Sequence, residues 1–410
     1  MSARHDPYAA LRVKNFLWLI LSYAMSTVAR EGQIVVVGWQ VYEITKDPLS
    51  LGMIGLAEAV PFIAVALYAG HAADRWPRRP IAIAGTFGML LSAIALLLFT
   101  TTGMIERRVW PIYLVIFLSG ITRSFTRPAF TALSAELITR DSYANAVAWR
   151  SSTWQLAAVI GPALGGLVYG FAGAAAAYAG VSVLMALSLV ALWLIAQSAR
   201  PQVRDEMPIG ESLRLGVRFI RGQPVLLAAM TLDLFSVLFG GAVALLPIFA
   251  RLLGAGPQGL GLLRAAPAAG SLVTGIIVAH RPPMKRSGPA LFAAVAIFGV
   301  TIIVFALSRN FLLSLALLTI TGMADNVSVI IRGTLLQTMT PGHPLGRVSS
   351  VNQVFIGASN EIGAFESGVA ARLMGTVPSV IFGGVMTLVV VAITMWRSPA
   401  LRRMREIHIA

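Results

Sequence analysis

The chain has 410 residues, 57% of them hydrophobic and only 12% charged, with a mean hydropathy of +0.78. Soluble domains carry roughly a quarter charged residues, so a water-soluble globule is excluded. The absence of cysteine excludes disulfides, zinc–thiolate sites and cysteine nucleophiles, and five histidines without metal-ligand spacing argue against a metal centre.

Apolar segments of about 20 residues recur along the chain, each long enough to cross a hydrocarbon core of roughly 30 Å as a helix. No β-barrel alternation accompanies them. The N-terminal "MSARHDPYAALRVKN" is polar and basic. The apolar segment after it is long and lacks a small-residue cleavage site, so it reads as a first span and not as a removable signal. Six spans are predicted at 16–43, 49–73, 80–102, 110–136, 144–171 and 174–197. A polar stretch, "QSARPQVRDEMPIGESLRLGVRFIRGQP" (197–224), separates them from six more at 225–252, 257–280, 288–308, 311–338, 348–375 and 377–396. The expected fold is an all-α membrane protein of twelve transmembrane helices in two pseudo-symmetric six-helix bundles. The bundles occupy residues 1–197 and 225–397, with a cytoplasmic linker at 198–224 and a cytoplasmic tail at 398–410.

The net charge of +15 would suggest nucleic acid in a soluble protein. Here the cations sort by connection. The termini and even-numbered connections hold twenty Lys and Arg, the odd-numbered connections hold five, and seven lie inside spans, together accounting for all 32. The bias places both termini and the linker in the cytoplasm and explains the basic character without nucleic acid.

The halves look related. At a shift of 202 positions Glu31 meets Asp233, Gly120 meets Gly322, Arg123 meets Asp325, and Gly161 and Gly166 meet Gly363 and Gly368. In spans 2 and 8 the shift is 206, and Gly55, Glu58, Pro61 and Arg75 meet Gly261, Arg264, Pro267 and Arg281. Two six-helix repeats are a transporter architecture, with substrate bound near mid-membrane.

"GHAADRWPRRP" (70–80) closes span 2. It resembles the loop signature of the major facilitator superfamily, with Gly70, Asp74, Arg75, Arg78 and Arg79 at the signature spacing and Pro77 in place of its usual glycine. The resemblance implies a cytoplasmic latch between halves. "GPALGG" (161–166) in span 5 resembles the glycine–proline motif of drug/proton antiporters in that superfamily. Gly161 and Gly165 make a small-residue face for tight packing, Gly166 follows them, and Pro162 removes one backbone hydrogen bond. Ala157 stands where the motif's upstream pattern has glycine. The stretches 232–270 and 352–368 resemble bacterial facilitators of the enterobactin exporter and third drug/proton antiporter subgroup. That subgroup implies export of siderophores, macrolides or other drugs.

Charges inside spans are costly and mark function. Glu31, Asp233, Asp325, Glu361 and Glu366 are the carboxylates expected to line the cavity or couple protons, with Arg123, Arg127 and Arg332 as cationic partners. Arg123 sits at the position, relative to Gly120, that resembles the antiporters' span 4 arginine. Arg30 adjoins Glu31, but neighbours in a helix point apart. In "FIGASNEIGAFESG" (355–368), Glu361 and Glu366 lie about 140° apart around a helix. Ser359, Gly363 and Ser367 form a ridge expected to pack on another helix with Glu366 beside it, leaving Glu361 to face the cavity.

The expected protein is a proton-coupled exporter of amphipathic small molecules in the bacterial cytoplasmic membrane. It is expected to act as a monomer, with lipid, protons and a small-molecule substrate as its partners and without cofactor. An importer on the same fold is the first alternative. A lipid-modifying enzyme is a distant second, because no histidine pair, phosphate loop or Asp-rich motif is present.

Overall fold

The computed structural model describes residues 6–196, 209–240, 242–281, 286–340 and 345–404. Within them it describes all side chains except those of residues 66, 67, 70–75, 107, 140, 209–213, 345–347, 350, 353 and 354. Among the described residues there are helices and short connections and no strand. The first helices are α1 (Lys14–Thr45), α2 (Pro48–Arg75), α3 (Arg78–Thr101) and α4 (Trp110–Glu136). A helical run over Tyr143–Trp193 breaks at Gly173, where φ is 81° and ψ 177°, into α5 (143–172) and α6 (174–193). This backbone is open to glycine and strained for other residues, so one residue suffices to reverse the chain. Next, α7 (Pro224–Leu252) is interrupted after Phe239 by a short 3-10 turn at Ala242–Leu245. It is followed by α8 (Gly256–Ala279), α9 (Ser287–Leu307), α10 (Phe311–Met339), α11 (Leu345–Met374) and α12 (Thr376–Arg397). These helices fall on the twelve predicted spans to within a few residues.

Among the described residues, eight helical stretches are long and apolar enough to cross a membrane, the α5–α6 run counting as one. The long helices outside that set are α1, α4 and α11. They carry Arg30 and Glu31, Arg123 and Arg127, and Glu361 and Glu366. Each of these three carries two charges in its middle, which lowers its hydropathy, although α2, α7, α8 and α10 keep charges at depth within the apolar set. Odd-numbered connections are short. Two residues join α1 to α2, one joins α5 to α6, three join α7 to α8, three join α9 to α10, and one joins α11 to α12. The α3–α4 connection is longer and holds a single helical turn, Met104–Arg107.

The chain divides into two compact units, Met1–Gln40 with Val60–Asp205, and Val41–Ala59 with Glu206–Ala410. In the first unit, Phe16, Leu19, Ile81, Phe130, Leu133 and Leu192 make one buried cluster. Lipid tails are as apolar as leucine, so helix association in a membrane leans on small residues and buried polar pairs. Ser22 and Ser188 share a hydroxyl hydrogen bond (2.8 Å) between α1 and α6. Gln40 accepts from the Tyr178 hydroxyl (2.8 Å) and donates to Thr100 (3.2 Å), tying α1 to α6 and α3.

In the second unit, Leu226, Leu232, Leu291, Phe292, Ile331 and Leu335 are core residues. Thr301 and Thr321 pair across α9 and α10 at 2.9 Å. The linker contains a helix, Ile209–Gly222, whose Ile220 joins this core while Arg214, Arg218 and Arg221 stay exposed. The α1–α2 turn places Lys46 at φ 52°, the one non-glycine in the left-handed region among the described residues. That conformation costs a side-chain-bearing residue roughly 1–2 kcal/mol. Lys46→Gly is therefore expected to raise the melting temperature of detergent-solubilised protein. An unchanged or lower value counts against strain at this turn.

Candidate transport site

Two polar constellations are embedded in the helices, one in each unit. In the second unit, Asp233 of α7 and Arg332 of α10 form a buried ion pair through Oδ2 and Nη1, each side chain 9% exposed. Arg332 Nε also donates to Ser328 Oγ (3.2 Å). Asp325, Ser328 and Arg332 follow one another at spacings of three and four residues, so they lie on one face of α10. Asp325 is half-buried, faces the adjacent cavity and lies within electrostatic reach of Arg332 and Asp233. Two carboxylates thus share one guanidinium. Beside them is a cavity of about 10 Å³, lined by Asp233, Ser236, Phe298, Asp325 and Ser328 among others. That is about the space for one water molecule.

In the first unit, Arg30 Nη1 meets Glu31 Oε1 at 2.6 Å. This corrects the expectation that these two neighbours point apart. Their Cα–Cβ bonds do diverge, but the long arginine stem swings its guanidinium back over the neighbouring carboxylate. Arg123 of α4 stacks over the Phe62 ring, 5.4 Å from its centroid. Arg127, one turn further on, lies within electrostatic reach of Arg123, Arg30, Arg150 and Tyr23.

The glycine motifs have identifiable partners. A Cβ placed on Gly161 would lie 2.7 Å from the Val28 carbonyl and 2.8 Å from Glu31 Cβ, and one on Gly165 would lie 2.7 Å from Gly32 Cα. α5 therefore packs backbone to backbone on α1 beside Glu31. Pro162 and Gly166 are buried in the same stretch. On α11, a Cβ on Gly363 would lie 2.9 Å from the Leu238 carbonyl, so the ridge packs on α7 as expected, with Ser359 and Ser367 buried at 3% and 6% exposure. The two contacts are not in register. Gly161 lies over Val28 and Glu31, whereas Gly363 lies over Val237 and Leu238, more than a turn beyond Asp233. The alignment that matched Glu31 to Asp233 is thus not reproduced in the packing.

The other side of α11 meets α2. A Cβ on Gly55 would lie 2.7 Å from Ala364 Cβ and 2.9 Å from the Glu361 carbonyl, and one on Gly368 would lie 2.7 Å from Gly52 Cα. Arg372 Nη1 joins Asp47 Oδ2 at 3.3 Å above this seam. Glu361 is half-buried. Glu366 is half-buried too, and among the described residues no cation pairs with it. The seam was not anticipated from sequence. Its available signals were Asp47 before Pro48, an N-cap position, and the Gly52/Gly55 pair.

Of the loop signature, Gly70, Asp74 and Arg75 lie outside the described side chains. Arg78 pairs with Glu136 at the end of α4 (Nη1–Oε2, 3.2 Å). Arg79 donates to the terminal carbonyls of α6, Leu192 (3.3 Å) and Trp193 (2.8 Å), which a guanidinium does well at a helix C-terminus.

Residues 5–409 match the transmembrane secretion effector family, and the chain belongs to it. It is a multi-pass membrane transporter of the efflux type, built on the major facilitator fold. Among characterised relatives, the enterobactin exporter EntS of Citrobacter koseri is 25% identical over 98% of this chain and 94% of its own length. That of Shigella flexneri is 25% identical over 91% of this chain and 88% of its own. Solved structures share the fold at low identity. A peptide transporter POT in complex with sulfate superposes with a TM-score of 0.73 at 13% identity, covering 98% of this chain and 100% of that one. A POT family transporter in complex with 5-aminolevulinic acid gives 0.73 at 11% identity, covering 94% and 96%.

Proposed function

We propose that this protein exports amphipathic small molecules, siderophore- or drug-like, across the bacterial inner membrane by alternating access coupled to inward proton movement. The observation that carries the reading is the Asp233–Asp325–Arg332 cluster inside the helices, in which two carboxylates share one guanidinium beside a cavity of about one water's volume. Uptake of one proton neutralises that cluster and its release restores the charge, so a conformational change that alters water access can drive the cycle. The enterobactin-exporting relatives support the cargo class and the direction. Glu31, Glu361 and Glu366, with Arg123 and Arg127, complete the set of intramembrane groups open to cargo or protons. The bundles are read as 1–197 and 225–397, the loop-signature residues Gly70, Asp74, Arg75, Arg78 and Arg79 as the cytoplasmic latch, the termini as cytoplasmic and the protein as a monomer.

The test is accumulation of dyes, antibiotics and siderophores in a host stripped of its own efflux pumps. Cells carrying this protein should hold several-fold less of at least one compound, and a protonophore should erase the difference. Asp233→Asn should erase it too, at matched membrane abundance. Higher accumulation would reverse the direction to import, and efflux that survives the protonophore would remove the proton from the mechanism.

A further inference from the structure

The last helix and the chain that follows it gather arginines at one rim of the second unit. α9 and α12 pack against each other, and a Cβ on Gly384 would lie 2.9 Å from the Gly299 carbonyl. With 21 and 22 residues they are about 32 and 33 Å long, close to the roughly 30 Å of a hydrocarbon core. Their ends therefore lie at headgroup level. Both turn an apolar face outward. On α12, Phe382, Val385, Val389, Ile393 and Trp396 follow at spacings of three and four residues and all are exposed, Trp396 at 75%. On α9, Ile297, Val300 and Val304 make a similar stripe.

Past Arg397 the chain turns back. A helical turn at Pro399–Arg402 buries Leu401 completely in the core of the unit. A Cβ built at Gly288 would overlap the Leu401 carbonyl, and the Gly288 N–H donates to the Met404 carbonyl (3.3 Å). Segments far apart in sequence are thereby held together. Arg286, just before α9, is brought to Arg402 and Arg403, and Arg397 ends the neighbouring helix. All four arginines are exposed. Residues 281–309 and 376–405 contain no carboxylate, and among the described residues no carboxylate pairs with any of the four. A topology signal needs only basic residues near the membrane. It does not need a fold that joins the start of α9 to the chain after α12 through a buried leucine.

We infer that Arg286, Arg397, Arg402 and Arg403 form a binding site for the headgroup of an anionic phospholipid of the surrounding bilayer. Guanidinium makes paired, charge-assisted hydrogen bonds to phosphate oxygens, and basic side chains at the membrane surface attract anionic lipid. The stripe on α12 runs straight into the cluster and gives the acyl chains their surface. Trp396 stands at the boundary, where an amphipathic ring is favoured. The site concerns the lipid partner and is independent of cargo and of transport direction.

The probes are dioleoyl phosphatidylglycerol and dioleoyl phosphatidylcholine, which share their chains and differ in headgroup charge. Each is titrated into the full-length protein in neutral detergent, and bound lipid is counted by native mass spectrometry. The first phosphatidylglycerol should bind about tenfold more tightly than phosphatidylcholine. The triple variant Arg397→Gln, Arg402→Gln, Arg403→Gln should weaken phosphatidylglycerol about tenfold and leave phosphatidylcholine unchanged, while the triple Lys variant should retain most of the affinity. Arg214→Gln, Arg218→Gln, Arg221→Gln removes the same charge from the linker helix and should weaken binding far less. Should the first triple variant be polydisperse, Arg402→Gln with Arg403→Gln is read instead, with a smaller loss of the same sign. Equal affinity for the two lipids, parental affinity in the Gln variants, or an equal loss in the linker variant overturns the site. Displacement of phosphatidylglycerol by glycerol 1-phosphate at equal concentration would give the arginines to a soluble anion and overturns it as well.

Discussion

Arg332→Leu should be among the most damaging single substitutions in this protein, costing about 3–5 kcal/mol. The guanidinium is buried, paired with Asp233 and donates to Ser328. Its loss leaves two carboxylates, Asp233 and Asp325, within electrostatic reach of each other and without the guanidinium they share. Asp233→Asn should cost clearly less, because Asp325 stays within reach of the arginine. The triple variant Asp233→Asn, Asp325→Asn, Arg332→Met should recover at least half of the stability lost in Arg332→Leu, since a removed network costs less than a broken one. Thermal unfolding in detergent reads all three. Equal losses for Arg332→Leu and Asp233→Asn would show that Asp325 does not act as the reserve counter-charge.

Gly322→Leu is expected to separate α8 from α10 altogether. A Cβ built at Gly322 overlaps the Pro267 carbonyl, and one built at Gly270 overlaps that of Thr319. Both obstacles are backbone, so neither can turn aside as a side chain would. The crossing is further held by Ser271 Oγ donating to the Gly322 carbonyl (3.0 Å) and Asn326 Nδ2 donating to the Ser271 carbonyl (2.7 Å). Forcing atoms into such a contact costs about 1–3 kcal/mol or more even before those hydrogen bonds are lost. The measurement is the yield of monodisperse protein on size exclusion, expected to collapse for Gly322→Leu and to fall less for Gly322→Ala. A monodisperse Gly322→Leu protein at parental yield would mean that the crossing is looser than its geometry.

The helices were legible because a membrane imposes one length and one composition on every crossing. The end of one span at 171 and the start of the next at 174 were legible from composition, though the glycine that makes the break was not singled out, and the small-residue contacts of Gly161 and Gly363 were legible from their spacing. The charged residues could be enumerated but not paired. That Asp233 meets Arg332 depends on how far α7 slides along its neighbours, and a one-dimensional alignment that matched Asp233 to Glu31 missed the slide by more than a turn. The Arg30–Glu31 pair was discounted because a wheel diagram follows the Cβ and not the end of a long flexible chain. The α2–α11 seam was overlooked because Gly52 and Gly55 read as ordinary helix glycines until a partner backbone is beside them.

The brevity of the odd-numbered connections reaches beyond architecture. With one residue between α5 and α6, one between α11 and α12, and two between α1 and α2, there is almost no chain for a protease to cut or an antibody to grip. Among the odd-numbered connections, only the segment around Met104–Arg107 has any length to offer a binder. An epitope tag meant to report on this side of the protein belongs there and nowhere else among the odd-numbered turns.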